Sequence, residues 1–308
     1  MRLVSFGSAG SERPGVLDDL DRLVPLDDLL RRHNMIRAGV QAILGRWSEL
    51  EKPIQAELES SERLSLEGMR LGPPVTHPRG IYGIGKNYGA VSDRPPGSSV
   101  SYYDAPPIFM KPPGTLVGSN DPVSIPEGST SVDYEVELAL VIGRGGRNIS
   151  IDDADKHVAG YLLVNDVTAY DLVFGTPEVD KWQSQPAAAA QLLLGKGFDS
   201  FLPCGPWLLT ADSVDVESIE LRLSVNGELR QTGKVAEMLL SIPAIVELIS
   251  RFTTLHPGDL ILTGTPPGGG IGMNPPQFLA AGDEIDASAG PLGVLSNPMR
   301  RAETVLAR

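Results

Sequence analysis

Two glutamates two residues apart, Glu135 and Glu137, lie in the apolar run Asp133-Tyr134-Glu135-Val136-Glu137-Leu138-Ala139-Leu140-Val141-Ile142. Side chains on a β-strand alternate faces, so the two carboxylates would point the same way, about 7 Å apart along the chain. Two like charges on one face call for a cation. A third acid, Asp166, closes a second apolar run, Gly160-Tyr161-Leu162-Leu163-Val164-Asn165-Asp166, and could complete a three-carboxylate cluster. Hard oxygen donors of this kind suit Mg²⁺ or Mn²⁺ better than Zn²⁺, which prefers nitrogen and sulfur. Taken alone, a Glu-x-Glu pair is weak evidence and more often describes two solvent-facing glutamates.

The elements that must position these acids are short. From residue 81 onward, β-type runs separated by Gly and Pro dominate: 81–84, 108–111, 132–142, 158–164, 206–209, 221–225, 259–262 and 284–287. Many short strands with few long helices predict an α+β, strand-rich barrel or sandwich. A short helix is expected over 151–156 and an amphipathic one over 238–251. Residues 1–72 read differently, with helical spacing over 26–47 and a charged, helix-compatible stretch over 54–66. The turn-rich Gly72-Pro73-Pro74-Val75-Thr76-His77-Pro78 marks a boundary, giving a small N-terminal module (1–72) and a core (73–308).

The 308 residues, 41% hydrophobic, suffice for one large core with a small extension. No apolar run approaches the roughly 20 residues that span a bilayer, and 1–15 holds no long apolar signal, so the expected compartment is the cytoplasm. The single cysteine, Cys204, cannot form an internal disulfide and reads as a small buried residue. A formal net charge of −13 argues against sequence-independent binding to nucleic acid or an anionic membrane.

Four segments in this order resemble the fumarylacetoacetate hydrolase family: Gly83-Ile84-Gly85-Lys86-Asn87-Tyr88, the run 133–142, the stretch from Gly195-Lys196-Gly197-Phe198-Asp199 to Pro206, and Pro257-Gly258-Asp259-Leu260-Ile261-Leu262-Thr263-Gly264-Thr265-Pro266. The segments Val225-Asn226-Gly227-Glu228-Leu229-Arg230-Gln231 and Ser241-Ile242-Pro243 agree with the same pattern, so the resemblance spans roughly 79–301. It implies a mixed β-roll or β-sandwich core that dimerises and holds Mg²⁺ or Mn²⁺. Carried over, the ligands are Glu135, Glu137 and Asp166, the site lysine is Lys196, and the threonine of the Gly-Thr-Pro turn is Thr265. An ammonium beside three carboxylates would offset charge that a divalent ion leaves uncompensated and polarise a substrate oxygen. The glycines of 263–272 lack the Gly-Lys-Ser/Thr ending of a phosphate loop; their backbone amides are expected near a substrate carboxylate.

The chain departs from that family in two places. After Asn87-Tyr88 the family carries a histidine and then a glutamate that activate water; here Val91 and Arg94 stand at those positions. Valine moves no proton, which removes a term usually worth about 10²–10⁴-fold in rate. None of the four histidines, His33, His77, His157 and His256, is an evident replacement. Asp93 is the best surviving acid or base of that segment, ahead of Tyr102, Tyr103 and Asp104, although each also fits a solvated loop. After Asp166, Tyr170 replaces an arginine and Val173 a glutamine that bind substrate in relatives. Tyr88, Val91 and Tyr170 are therefore expected to face a substrate larger or less anionic than the usual acylpyruvate. The function expected first is metal-dependent C–C cleavage of a 1,3-dicarbonyl or 2-oxo acid, by hydrolysis or decarboxylation through a stabilised enolate, with Lys196, Thr265 and Asp93 as catalytic residues. A metal-assisted tautomerase, isomerase or lyase is the alternative, and a non-catalytic family member the third.

Overall fold

The computed structural model of the chain describes residues 1–36, 38–89, 105–174 and 191–302. Its organising element is the strand Val136–Ile142, buried at every residue. A strand this apolar must be covered on both faces, and alternation sorts its side chains into two cores. Leu138, Leu140 and Ile142 pack with the helix Ile242–Phe252 and with Leu221, Leu223 and Ile285 of a five-stranded sheet. Ala139 and Val141 face the other way, onto Leu29, Leu30, Ile43, Leu50 and Ile54 of the N-terminal helices. An eleven-stranded mixed sheet is thus held between a smaller sheet with one helix and a layer of short helices. The α+β, strand-rich class expected from the sequence is the one observed.

Register sets the site. Val136–Ile142 pairs antiparallel with Val158–Asn165, placing Glu137 opposite Val164 and Val136 opposite Asn165. On its other edge it pairs with Leu260–Leu262, which in turn runs parallel to Ile81–Ile84. The expected single strand 132–142 is interrupted: Val132–Asp133 pairs with Thr168–Ala169, and Glu135 sits in the break. By alternation Glu135, Glu137 and, one strand over, Asp166 fall on the side of Ala139, Val141, Leu162 and Val164.

The first residues build strands that the helical spacing of this region did not suggest. Arg2–Phe6 pairs with Leu202–Thr210 and with Arg13–Leu17, extending the large sheet. The expected helical stretch 26–47 is broken into Asp27–Arg32 and Val40–Leu44, with Asn34 left-handed between them. Helix then runs over Trp47–Ser60 rather than 54–66. The boundary drawn at residue 72 falls on the short strand Leu71–Gly72, which pairs with Arg2–Phe6. In place of a helix over 151–156, residues 151–153 form a turn and Ala154–His157 a 3-10 segment. The amphipathic helix begins at Ile242, where Ser241 Oγ accepts from the Ala244 N–H and Pro243 occupies the first turn.

Candidate active site

Glu135, Glu137 and Asp166 converge: one carboxylate oxygen from each lies within 4.8 Å of the others, and all three residues are buried. Glu135 leaves the strand break, Glu137 comes from the strand itself, and Asp166 follows the end of Val158–Asn165, so one register brings three acids together.

Two lysines brace the cluster. Lys196 Nζ donates to Asp166 Oδ2 at 2.6 Å, to Glu135 Oε2 at 3.0 Å and to Thr168 Oγ1 at 2.7 Å, and lies 4.7 Å from the centroid of the Phe109 ring. It arrives on the helix Leu192–Lys196, which packs on Tyr170–Phe174 because residue 195 is glycine: a Cβ there would stand 2.2 Å from Val173 Cγ2. Lys111, fully buried, donates to Asp166 Oδ1 at 2.6 Å and to the Val167 carbonyl at 3.2 Å. Sequence reasoning missed Lys111 as a site residue; the signal available was a lysine closing the β-type run 108–111.

Electrostatics follow from this enclosure. Burial resists ionisation of Asp166, but the two ammonium groups outweigh it and hold the carboxyl below its usual range. Glu137 has no such partner; burial first, then Asp166 and Glu135, push it well above the usual carboxylate range, with only the Gly264 N–H at 2.7 Å and Lys196 opposing. Desolvation works against the Lys196 ammonium, yet the three surrounding carboxylates raise its pKa overall. Desolvation lowers Lys111 to about 8. An all-oxygen cluster with one carboxylate lacking a full counter-charge fits a hard divalent cation such as Mg²⁺ or Mn²⁺.

The remaining expected residues are placed as follows. Tyr170 Oη donates to Glu135 Oε1 at 2.6 Å while its ring stacks on Phe174 at 5.6 Å. Position 170 is thereby tied to a cluster carboxylate while also lining the cavity. Thr265 Oγ1 donates to the Val136 carbonyl at 3.0 Å and accepts from Gln231 Nε2 at 2.8 Å, which pins the Gly-Thr-Pro turn to the acid-bearing strand. Gln231, whose Oε1 also accepts from the Val136 N–H, is the buried link between them. Tyr88 lines the cavity, and its buried hydroxyl has no hydrogen-bond partner among the described residues. Val91 and Asp93 lie outside the described residues.

The glycine loop differs from expectation. The amides of Gly270 and Ile271 donate to Asp133 at 2.9 and 2.8 Å, so they are spent on a protein carboxylate rather than kept for substrate. Burial lifts Asp133 to about 6 against those bonds. Cys204 is buried, and its thiol is pushed up by desolvation. None of the four histidines is among the described residues lining the cavity.

Above the acids a cavity of about 720 Å³ opens, walled by Ile84, Phe109, Val173, Phe174, Leu192 and Met273 and carrying Lys86, Tyr88, Lys196 and Thr265. That volume suits a small molecule. Fold and site together define a strand-rich α+β protein with a small-molecule cavity floored by a lysine-braced carboxylate triad. Residues 80–300 match the fumarylacetoacetate (FAA) hydrolase C-terminal domain, and the chain belongs to the fumarylacetoacetate hydrolase family. It is 38% identical over 301 residues to the mitochondrial oxaloacetate tautomerase fahd2 of Xenopus laevis, covering 97% of this chain and 90% of that protein. It is 42% identical over 236 residues to the oxaloacetate tautomerase YisK of Bacillus subtilis, covering 76% of this chain and 74% of the relative. Maleylpyruvate hydrolase from Sphingobium sp. SYK-6, solved with manganese (II) ion and pyruvate, superposes with a TM-score of 0.79 at 27% identity, over 98% of this chain and 100% of that one. These relatives are enzymes, and among the described residues no helix is long and apolar enough to cross a membrane.

Proposed function

We propose that the protein is a divalent-metal-dependent enzyme that interconverts the keto and enol forms of a 2-oxo acid. The observation that carries this reading is the buried triad of Glu135, Glu137 and Asp166 with Lys196 Nζ among its oxygens at the floor of the cavity. Those three acids would hold Mg²⁺ or Mn²⁺. When bound, the ion supplies Lewis acidity that lowers the cost of negative charge on a substrate oxygen. The Lys196 ammonium, buried and held protonated by its carboxylate neighbours, adds electrostatic stabilisation at the floor of the cavity. Thr265 and Gln231 hold the turn that lines the cavity beside the acids. Tyr170 and Thr265 have committed hydroxyls, whereas Tyr88 Oη is buried without a described partner. Tyr88 is thus the cavity hydroxyl free to exchange a proton with substrate, and Asp93 is the residue of the neighbouring segment able to accept one.

Tautomerisation takes precedence over cleavage because it needs no activated water, and the sequence places Val91 and Arg94 where the water-activating pair would stand. Two relatives named as oxaloacetate tautomerases support it, which makes oxaloacetate the first substrate to try. The likeness to a maleylpyruvate hydrolase favours cleavage as the second reading. A homodimer, as the family resemblance implies, and a place in the cytoplasm, as the sequence without a long apolar segment suggests, belong to the same proposal. The deciding experiment follows the decay of enol absorbance with Mg²⁺ or Mn²⁺, with chelator, and in Glu137→Ala, with product mass determined. Decay that needs both metal and Glu137 and leaves the mass unchanged supports tautomerisation. Fragmented product would establish cleavage instead, and decay indifferent to chelator would sink both.

A further inference from the structure

Asp133 precedes Glu135 and Glu137 by the same two-residue step and is fully buried, yet it pairs with no lysine or arginine among the described residues. Lys111 and Lys196 are engaged on Asp166 and Glu135. Backbone amides meet the Asp133 carboxylate instead: Oδ1 accepts from the Tyr134 and Gly270 N–H groups, each at 2.9 Å, and Oδ2 from the Ile271 N–H at 2.8 Å. Burying a carboxylate is costly unless it is hydrogen-bonded, and the need for two acceptor atoms explains an acid here. Asparagine offers one acceptor oxygen and could not take the Ile271 amide as well.

These bonds fasten the turn 268–273, which packs too closely on its neighbours to slide. A Cβ at position 270 would stand 1.8 Å from the Gln277 carbonyl oxygen and 2.9 Å from Asp133 Oδ1, so glycine is required there. The Gly270 carbonyl accepts from the Met273 and Gln277 N–H groups, and Tyr134 Oη donates to the Gly268 carbonyl at 3.3 Å. Arg230 Nη1 donates to Met273 Sδ at 3.4 Å and to Gln277 Oε1 at 2.5 Å. Held in this way, the turn contributes Ile271 and Met273 to the wall of the cavity. Ile271 is 40% exposed, apolar surface that a ligand in the cavity would cover with a gain in free energy.

We infer that Asp133 is a positioning residue for the substituent of the substrate: by fixing the turn 268–273 it holds Ile271 and Met273 as an apolar face on which an apolar or aromatic substituent of a 2-oxo acid packs. Asp133 acts through those two side chains and does not touch the ligand. The inference rests on the reading of the cavity as a 2-oxo acid site. It agrees with Tyr170 and Val173, which stand where an arginine and a glutamine would have favoured a polar or anionic group, and with Phe174 and Leu192 in the same wall.

The test is calorimetric titration of Mn²⁺-loaded protein with pyruvate, too short to reach the turn, and with phenylpyruvate, which carries an aromatic substituent. The wild type binds phenylpyruvate more tightly, and Asp133→Asn cuts that advantage about 10-fold, the lower end of what apolar pocket contacts discriminate. Affinities for pyruvate and for Mn²⁺ stay as they were, which a general loss of structure would not allow. Met273→Ala cuts the advantage in the wild type but adds little in Asp133→Asn, because the two substitutions remove one and the same contact. An advantage that survives Asp133→Asn, equal losses for both ligands, additive effects of the two substitutions, or no advantage in the wild type would each overturn the inference. Asp133→Ser, which keeps a single acceptor, replaces the asparagine variant if that one fails to fold. Enol decay is followed alongside: a wild type that binds phenylpyruvate without speeding its tautomerisation defeats the tautomerase reading, while the binding ratios still decide the role of Asp133.

Discussion

Tyr88 and Tyr170 carry similar side chains in one cavity yet do different work, and their hydroxyls explain why. Tyr88 Oη is buried without a described partner, so Tyr88→Phe removes an unsatisfied polar atom. The variant should be more stable by about 1 kcal/mol, while tautomerisation slows by about 10²-fold if that hydroxyl exchanges a proton with substrate. Chemical denaturation and enol-decay kinetics read the two effects independently. A stabilised variant with full activity would remove Tyr88 from the reaction. Tyr170 Oη instead holds Glu135 at 2.6 Å. Residues that orient a ligand typically contribute about 10- to 100-fold in metal affinity, so Tyr170→Phe should weaken Mn²⁺ binding by that range when titrated directly. Unaltered affinity would mean that position 170 serves the substrate alone.

At the scale of elements, close helix packing delivers Lys196. Gly195 allows Leu192–Lys196 to lie against Tyr170–Phe174, since a Cβ would stand 2.2 Å from Val173 Cγ2 and 2.9 Å from the Ala169 carbonyl oxygen. In an exposed helix Gly→Ala would ordinarily stabilise by up to about 1 kcal/mol. Overpacking reverses that sign here: Gly195→Ala should destabilise by about 1–3 kcal/mol and lower kcat, because the displaced helix draws Lys196 Nζ away from Glu135 and Asp166. A neutral or stabilising effect in thermal unfolding would show that the two helices can part without cost. Gly83 plays the same part beneath Phe109, whose ring atom Cζ would meet a Cβ at 2.2 Å, and that ring in turn lies against the Lys196 ammonium.

Across the whole molecule, three acids are enclosed between two apolar layers, and stability must answer to pH and metal together. Glu137 is raised above its ordinary 4.5 by burial and by its acidic neighbours. Between that ordinary value and the raised one the folded metal-free protein binds the proton more firmly than the unfolded chain does. Stability of the metal-free protein therefore falls as pH rises through this window. A divalent cation takes the place of the proton, so the rise in Tm on adding Mg²⁺ or Mn²⁺ should grow as pH increases across the same interval. Thermal scans at several pH values, with metal and with chelator, check this. A metal-induced shift that shrank with rising pH would place the ion elsewhere than at Glu137. Asp166 contributes with the opposite sign: its pKa is held low by Lys111 and Lys196, and its stabilisation is lost as pH falls.

What the sequence determined by itself was local and periodic. Alternation in 133–142 put Glu135 and Glu137 on one side, the apolar run ending at Asp166 supplied the third acid, and the run of short strands set the class. Those readings rest on the two-residue period of a strand, which the chain carries in its own order. The tertiary structure alone decided the rest. Lys111 reaches Asp166 across 55 positions, and Gln231 reaches Val136 across 95, distances over which no spacing rule acts. The amides of the glycine loop turned to Asp133 rather than to substrate, because an enclosed carboxylate must find donors wherever the chain folds them past it. The opening strands were hidden for a related reason. Arg2–Phe6 and Arg13–Leu17 gain their pairing from Leu202–Thr210 and from each other, and strand formation depends on a partner that a local window does not contain.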